Sequence, residues 1–286
     1  LFVYVDDFKM AGRRDMLKNG WAAIKEHITI GDITPFDKYL GCDHKLTTFP
    51  KSLVQPKIDY VLKTNGKYSG SENSALNKTK ADSNVRVRGV QYSADGYMQQ
   101  CVDRYLELTG KSIKDMKNAD TPGMDDSAFQ PNEWIEKGQL KDDAAKIIMK
   151  VLYGARFFRW DLIRDINYLA RKMTKWTVMC DRRLFRLMCY INSTKNWIMH
   201  SVIGDAIEDF TLVCYCDADF AGDTETSKST NGGYVVLVGP NTWFPFACIC
   251  KAQSAVSHSS TESEILSLDY CLRTEGVPIL SFLQHI

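Results

Sequence analysis

A change of period near residue 210 constrains the fold more than any other feature. Between residues 132 and 195 apolar side chains recur at helical spacing. Ile147, Ile148, Val151, Leu152, Ala155 and Phe158 form one face, and Leu162, Ile166, Leu169 and Met173 form a second. A third series, Leu184, Leu187, Met188 and Ile191, follows Asp181; Asp161 and Asp181 both stand where an N-cap is expected. From residue 210 the pattern alternates instead, and 210–217, 233–238 and 243–251 read as three strands of one sheet, followed by a helix over 259–276. Helices grouped before strands predict an α+β or α/β chain.

The chain has 286 residues, enough for two domains, and its 44% hydrophobic and 25% charged content is that of an ordinary globular protein. A net charge of +1 excludes any chain-wide electrostatic footprint for nucleic acid. Nine cysteines follow no regular framework, which suggests a reducing, intracellular compartment. The apolar stretch 234–250 is interrupted by Pro240, Asn241, Thr242 and Pro245, so no membrane partner is expected. Because the sequence starts at Leu1, inside a strand-like run, it reads as a piece of a longer polypeptide.

At the N-terminus, 1–5 and 8–11 flank Asp6-Asp7 and predict a hairpin with both carboxylates at its tip. Adjacent carboxylates suit the hard divalent cations of phosphoryl transfer, although Asp-Asp is also an ordinary turn. Met16, Leu17, Trp21 and Ile24 share a helix face, and 33–42 is strand-like around Tyr39-Leu40-Gly41. Residues 63–89 are almost free of apolar side chains and read as a mobile insertion. A helix over 98–108 should stop at Gly110, and 111–131 read as a connector.

Near the C-terminus stand Tyr215-Cys216-Asp217-Ala218-Asp219-Phe220-Ala221-Gly222-Asp223, Lys228-Ser229-Thr230-Asn231-Gly232-Gly233-Tyr234 and Ser257-His258-Ser259-Ser260-Thr261-Glu262-Ser263-Glu264. Ser259-x-x-Glu262 has the form of a capping box, with Thr261-x-x-Glu264 as the competing box. A calcium-loop reading of Asp217-x-Asp219 fails at Ala221 and at Lys228. This ordered set resembles the ribonuclease H domain of copia-type LTR retrotransposon polyproteins. Tyr4-Val5-Asp6-Asp7 resembles the metal-binding hairpin of reverse transcriptases, Tyr39-Leu40-Gly41 their primer grip, and 152–162 the segment between polymerase and nuclease, with Trp160 where proline is usual.

The resemblance implies the end of a reverse-transcriptase palm over 1–62, an insertion over 63–92, a helical thumb and connection over 93–205, and a partial ribonuclease H-like mixed sheet with helix over 206–286. It implies Asp6, Asp7, Asp217 and Glu264 as catalytic metal ligands, Glu264 being preferred to Glu262 because Ile265-Leu266-Ser267-Leu268 follows it as in the family. Further aspartates of both sites are missing from the sequence, so the two Mg²⁺ sites are expected to be incomplete. The implied partners are an RNA template, a DNA primer, RNA–DNA hybrid and the remainder of the Pol polyprotein, in cytoplasmic particles and the nucleus.

Residues 156–195 carry ten Lys or Arg against three Asp, a local balance of +7, with aromatic side chains interleaved. Arg156, Arg159, Arg182, Arg183 and Arg186 are therefore candidates for phosphate contact; a solvated helix surface is the competing account. Cys214-x-Cys216 and Cys248-x-Cys250 sit on strands expected to be separated by a third, too far apart for one zinc ion. The alternative to the enzyme reading is a non-catalytic nucleic-acid-binding remnant of a decayed element.

Overall fold

The computed structural model describes residues 1–64 and 85–285. A small antiparallel hairpin, β1 (Phe2–Tyr4) and β2 (Asp7–Lys9), stands apart from the main sheet and is followed by the helix α1 (Arg14–Lys25). That sheet has seven strands, β3 (Lys38–Tyr39), β4 (Cys42–Pro50), β5 (Arg86–Ser93), β6 (Met199–Val202), β7 (Thr211–Asp223), β8 (Lys228–Gly239) and β9 (Thr242–Ala252). Their spatial order is β3-β4-β5-β6-β9-β8-β7, with every neighbouring pair antiparallel. The expected strands at 210–217, 233–238 and 243–251 are all present and longer than their apolar runs.

The segment assigned to an insertion over 63–92 needs correction at its end. Residues 86–93 are β5, an interior strand paired with β4 from Asp43↔Ser93 to Pro50↔Arg86 and with β6 from Gly89↔Val202 to Tyr92↔Met199. Val87 packs inward, which a polar neighbourhood had masked. The part of the insertion over 65–84 lies outside the described residues. Strand β6 was not legible at all: four residues carry too little pattern to separate a strand from a linker.

The largest core lies between four helices, α3 (Tyr97–Thr109), α4 (Ala144–Phe157), α5 (Ile163–Arg171) and α6 (Val178–Thr194). It is built from the helical faces read in the sequence, with Ile148, Val151, Leu162, Ile166, Leu184, Leu187 and Ile191 fully enclosed. Burying each such side chain contributes about 1.5–3 kcal/mol. As expected, α3 ends at Gly110, whose φ of +66° suits the C-terminal turn. The helix α2 (Gln55–Thr64) covers a second core, in which Val54 and Ile58 meet Phe49, Val87, Val202, Val236 and Trp243.

Two expected caps have other work. Asp161 lies within a short 3-10 turn, Trp160–Leu162, and pairs with Arg159. Asp181 lies in the first turn of α6, whose N-cap is Thr177. Its carboxylate accepts from the Gln139 and Leu140 N–H groups at 2.5 and 3.2 Å and from Trp176 Nε1 at 2.7 Å, tying the segment before α4 to the helix. The C-terminal helix is α7 (Ser260–Cys271), continued through a π turn, Leu272–Gly276, into α8 (Val277–Leu283). Among the described residues no helix is long and apolar enough to cross a membrane.

Gly89 is where the sheet tolerates least. A Cβ there would lie 2.3 Å from the Ser201 carbonyl oxygen and 2.6 Å from the Phe49 ring. Gly89→Ala should destabilise the chain by roughly 1–3 kcal/mol, the usual cost of overpacking, measured as a lowered midpoint in urea.

Candidate active site and nucleic-acid interface

Val5 and Asp6 turn the first hairpin, with Tyr4 paired to Asp7. Val5 has φ +55°, a left-handed conformation that a β-branched residue adopts only under constraint. The turn leaves Asp6 and Asp7 exposed, as the sequence implied, and Asp6 borders a cavity of about 560 Å³ with Trp21 and Ile28. Asp7 sits near the second hairpin. Burial pushes the Tyr39 and Tyr153 phenols up, and the charge of Asp7 adds to both.

In that second hairpin Leu40 and Gly41 are not strand residues. They form a two-residue turn between β3 and β4, with φ +50° and +68°. Two successive positive φ values are the signature of the tight hairpin turn whose twist matches its strands. The Leu40 carbonyl accepts a hydrogen bond from the Tyr153 hydroxyl of α4, which fixes the turn to the helical layer. Lys9 joins the hairpins, its ammonium 4.1 Å from the Phe36 ring centroid and 5.3 Å from that of Tyr39.

Asp217 lies on β7 opposite Gly232 of β8 and is exposed. Ser267 of α7 donates to the Asp217 carbonyl at 2.6 Å and reaches the Gly232 carbonyl at 3.3 Å. Glu264, exposed on the same helix, is three residues before Ser267, so α7 docks on the backbone of the strand that carries Asp217. The capping question is resolved as expected. Ser259 accepts from the Glu262 N–H at 3.1 Å, and the Glu262 carboxylate accepts from the His258 N–H at 2.7 Å, leaving Glu264 free of that role.

Carboxylate oxygens are suitable donors for a hard cation. Among the described residues, however, no group of three or more His, Cys, Asp or Glu side chains is arranged to hold a metal ion. Two carboxylates at each place fall short of a two-metal set. All nine cysteines are free, and β8 separates Cys214-x-Cys216 from Cys248-x-Cys250, as the strand order implied.

The basic segment departs most from expectation. Arg159 is 2% exposed, bonded to Asp161 at 2.9 and 2.7 Å and to the Thr194 carbonyl at 3.0 Å. Arg183 is also buried; it donates to the Met124 carbonyl at 2.8 Å, pairs with Asp126 and lies over the Phe129 and Tyr168 rings. Neither can reach a phosphate, and both are corrected to structural residues. Arg182 is held by Glu133 at 2.5 Å, and Arg186 donates to the Thr121 carbonyl at 2.9 Å. Arg156 is exposed and forms no ion pair among the described residues.

Of the remaining five cations, Lys195 donates to Gln99 at 2.7 Å and the other four clamp the helical layer to the β7–β8 hairpin. Arg164 meets Asp219 at 2.8 Å, Lys172 and Lys175 meet Glu225 at 2.7 and 2.8 Å, and Arg171 stands 3.8 Å from Asp223. Hydrogen bonds from the two lysines draw the Glu225 carboxyl down to about 2. The local +7 is thus largely spent within the molecule.

The chain is 35% identical over 183 residues to the retrovirus-related Pol polyprotein from transposon RE2 of Arabidopsis thaliana, a match covering 63% of this chain and 11% of that protein. It is 34% identical over 112 residues to the corresponding polyprotein from transposon RE1 of the same plant, covering 39% of this chain and 7% of that one. An uncharacterized mitochondrial protein of Arabidopsis thaliana is 30% identical over 168 residues, 58% of this chain and 65% of its own length. The chain is therefore related to transposon Pol polyproteins and matches about a tenth of the length of the first. No family model and no solved structure matches.

Two outcomes test this description. His44 is stacked on Phe36 at 4.6 Å, and burial, with Lys9 nearby, pushes its imidazole down to about 4. The unfolded chain, with a histidine near 6.5, binds more protons between those values. Stability should therefore fall as pH drops from about 6.5 towards 4, and His44→Phe should flatten the slope in pH-dependent urea unfolding. His200, also held down by burial and by Lys57, adds a slope of the same sign. Separately, Arg183→Glu should cost roughly 3–5 kcal/mol by leaving a buried charge unpaired, whereas Arg186→Glu should cost about 1 kcal/mol. Equal unfolding midpoints for the two variants would refute the assignment of Arg183 to the interior.

Proposed function

We propose that this chain is the part of a copia-type retrotransposon Pol polyprotein that runs from the end of the reverse-transcriptase palm, through a helical thumb and connection, into the first half of ribonuclease H. The parent carries out RNA-directed DNA synthesis and hydrolyses RNA in the resulting hybrid. The observation that carries the reading is the meeting of Asp217 and α7: Ser267 bonds the Asp217 carbonyl three residues after Glu264. The tight Asp6-Asp7 hairpin beside the Leu40-Gly41 turn and the similarity to Pol polyproteins support it independently.

In this reading Asp6 and Asp7 serve the polymerase, and Asp217 and Glu264 serve the nuclease. Mg²⁺ would supply charge stabilisation for the attacking and departing phosphate oxygens. The chain's own contribution is positional. The strained Val5 turn projects two carboxylates from a hairpin tip, and a buried serine fixes a helix against the strand that carries Asp217. Template RNA, primer DNA and hybrid are the partners, with the hairpin turn at Tyr39, Leu40 and Gly41 facing the primer.

The 286-residue chain should neither extend a primer nor cut a hybrid in Mg²⁺, because each described carboxylate pair lacks further ligands. A longer polypeptide of the same polyprotein, carrying the nuclease's downstream aspartates, should cleave hybrid. There Asp217→Asn and Glu264→Gln should abolish cutting, while Glu262→Gln should cost about 1 kcal/mol of stability through the helix cap. Loss of cleavage in Glu262→Gln with Glu264→Gln active would reverse the assignment. An inert longer wild type would leave a non-catalytic remnant as the reading.

A further inference from the structure

A second concave site lies where the helical layer meets the sheet, away from both carboxylate pairs. It is a cleft of about 240 Å³ lined mainly by Trp160, Trp197, Ile198, Met199, Tyr234 and Pro245. That volume is below the roughly 300 Å³ at which drug-sized pockets begin, and suits one flat heterocycle. Trp160 meets Tyr234 edge-on at 6.2 Å, forming one wall. Trp197 is 58% exposed, an unusual state for an indole beside an apolar cleft. It is held from behind: the Arg159 guanidinium lies 5.8 Å from its ring centroid and Tyr190 meets it edge-on at 6.0 Å.

We infer that this aromatic cleft takes an unpaired nucleobase of a single strand, with Arg156 beside it for the adjoining phosphate. The inference rests on the nucleic-acid reading above. Base-on-aromatic stacking tolerates any sequence, because every base has a π face. Charge at the rim favours the same ligand. Asp161, the acid of the cleft, is neutralised by its two-pronged pair with Arg159 at 2.9 and 2.7 Å, so it does not repel a phosphate. Arg156 is exposed, and its carbonyl accepts from Trp160 Nε1 at 3.1 Å, placing its backbone directly against the cleft wall. A proline-rich peptide would also suit aromatic walls, but it would have no use for the uncommitted cation.

The test compares fluorescence anisotropy of a labelled twelve-nucleotide thymidine strand with that of an abasic strand bearing the same number of phosphates. The wild-type chain should bind the thymidine strand about fivefold or more tightly than the abasic one. Trp197→Ala should erase that preference while leaving abasic binding unchanged, and Arg156→Ala should weaken both strands alike. A wild-type measurement guards against misfolding of the variant: a 5-iodouracil strand should photo-crosslink at Trp160 or Trp197. Equal binding of the two strands by the wild type, or crosslinks elsewhere, overturns the inference while hybrid binding leaves the nucleic-acid reading standing. Absence of all binding, to hybrid as well, removes both. Capture of a proline decamer that is lost in Trp197→Ala, with thymidine binding unaffected, assigns the cleft to peptide instead.

Discussion

The short strand β6 holds the architecture together. Its four residues pair with β5 from Tyr92↔Met199 to Gly89↔Val202, and its last residue also pairs with Trp243 of β9. Without it there would be two sheets, one carrying the Leu40-Gly41 turn and the other carrying Asp217. With it, the turn and Asp217 occupy strands at opposite ends of one sheet. The junction is tightly packed: Val202 is fully buried with Val236 and Val238, and Phe49 closes over Gly89. Close backbone approach and apolar burial therefore act together at the seam.

Electrostatics adds a second connection. A surplus of cations in one segment looks, by count alone, like a surface for phosphate. Here α5 and the turn after it face Asp219, Asp223 and Glu225, so the surplus answers acids distant in sequence. The exposed pairs, Arg164–Asp219 and Lys175–Glu225, contribute at most about 1 kcal/mol each, whereas Lys172 and Asp223 are buried. Arg159 and Arg183 differ because they are enclosed, and their backbone acceptors and aromatic neighbours satisfy groups that water no longer reaches. Arg156 retains the exposure that a phosphate contact requires.

What was legible in the sequence follows pattern length. The faces of α4, α5 and α6 each repeat over two turns or more, and each was readable in the sequence. The strands β7, β8 and β9 were readable in type but too short in extent, because β7 continues through Asp219 and Gly222 by way of an irregular register and a positive φ at Ala221. Strand β5 was lost beside a polar run, and β6 was too brief to have a period. Among the site residues, local chemistry was legible: Ser259 and Glu262 at a helix start, and a hairpin at Asp6, though its turn is Val5-Asp6 and Asp7 is already a strand residue. Burial of Arg159 and Arg183 was not, because it depends on Thr194, Met124 and Asp126, none of them sequence neighbours of the arginine they satisfy.

The geometry at Asp217 comes from small side chains. Along α7 the buried positions are Ser263, Ser267 and Cys271, while Ile265 and Leu268 are exposed. A helix ordered by hydrophobicity alone would turn the opposite way. Gly233 on β8 explains the inversion, since a Cβ there would lie 3.2 Å from Cys271 Sγ. Glycine on the strand and serine on the helix shorten the separation until the Ser267 hydroxyl reaches the Asp217 carbonyl at 2.6 Å. A buried hydroxyl needs such an acceptor, so the same contact that satisfies Ser267 also sets where Glu264 stands relative to the strand.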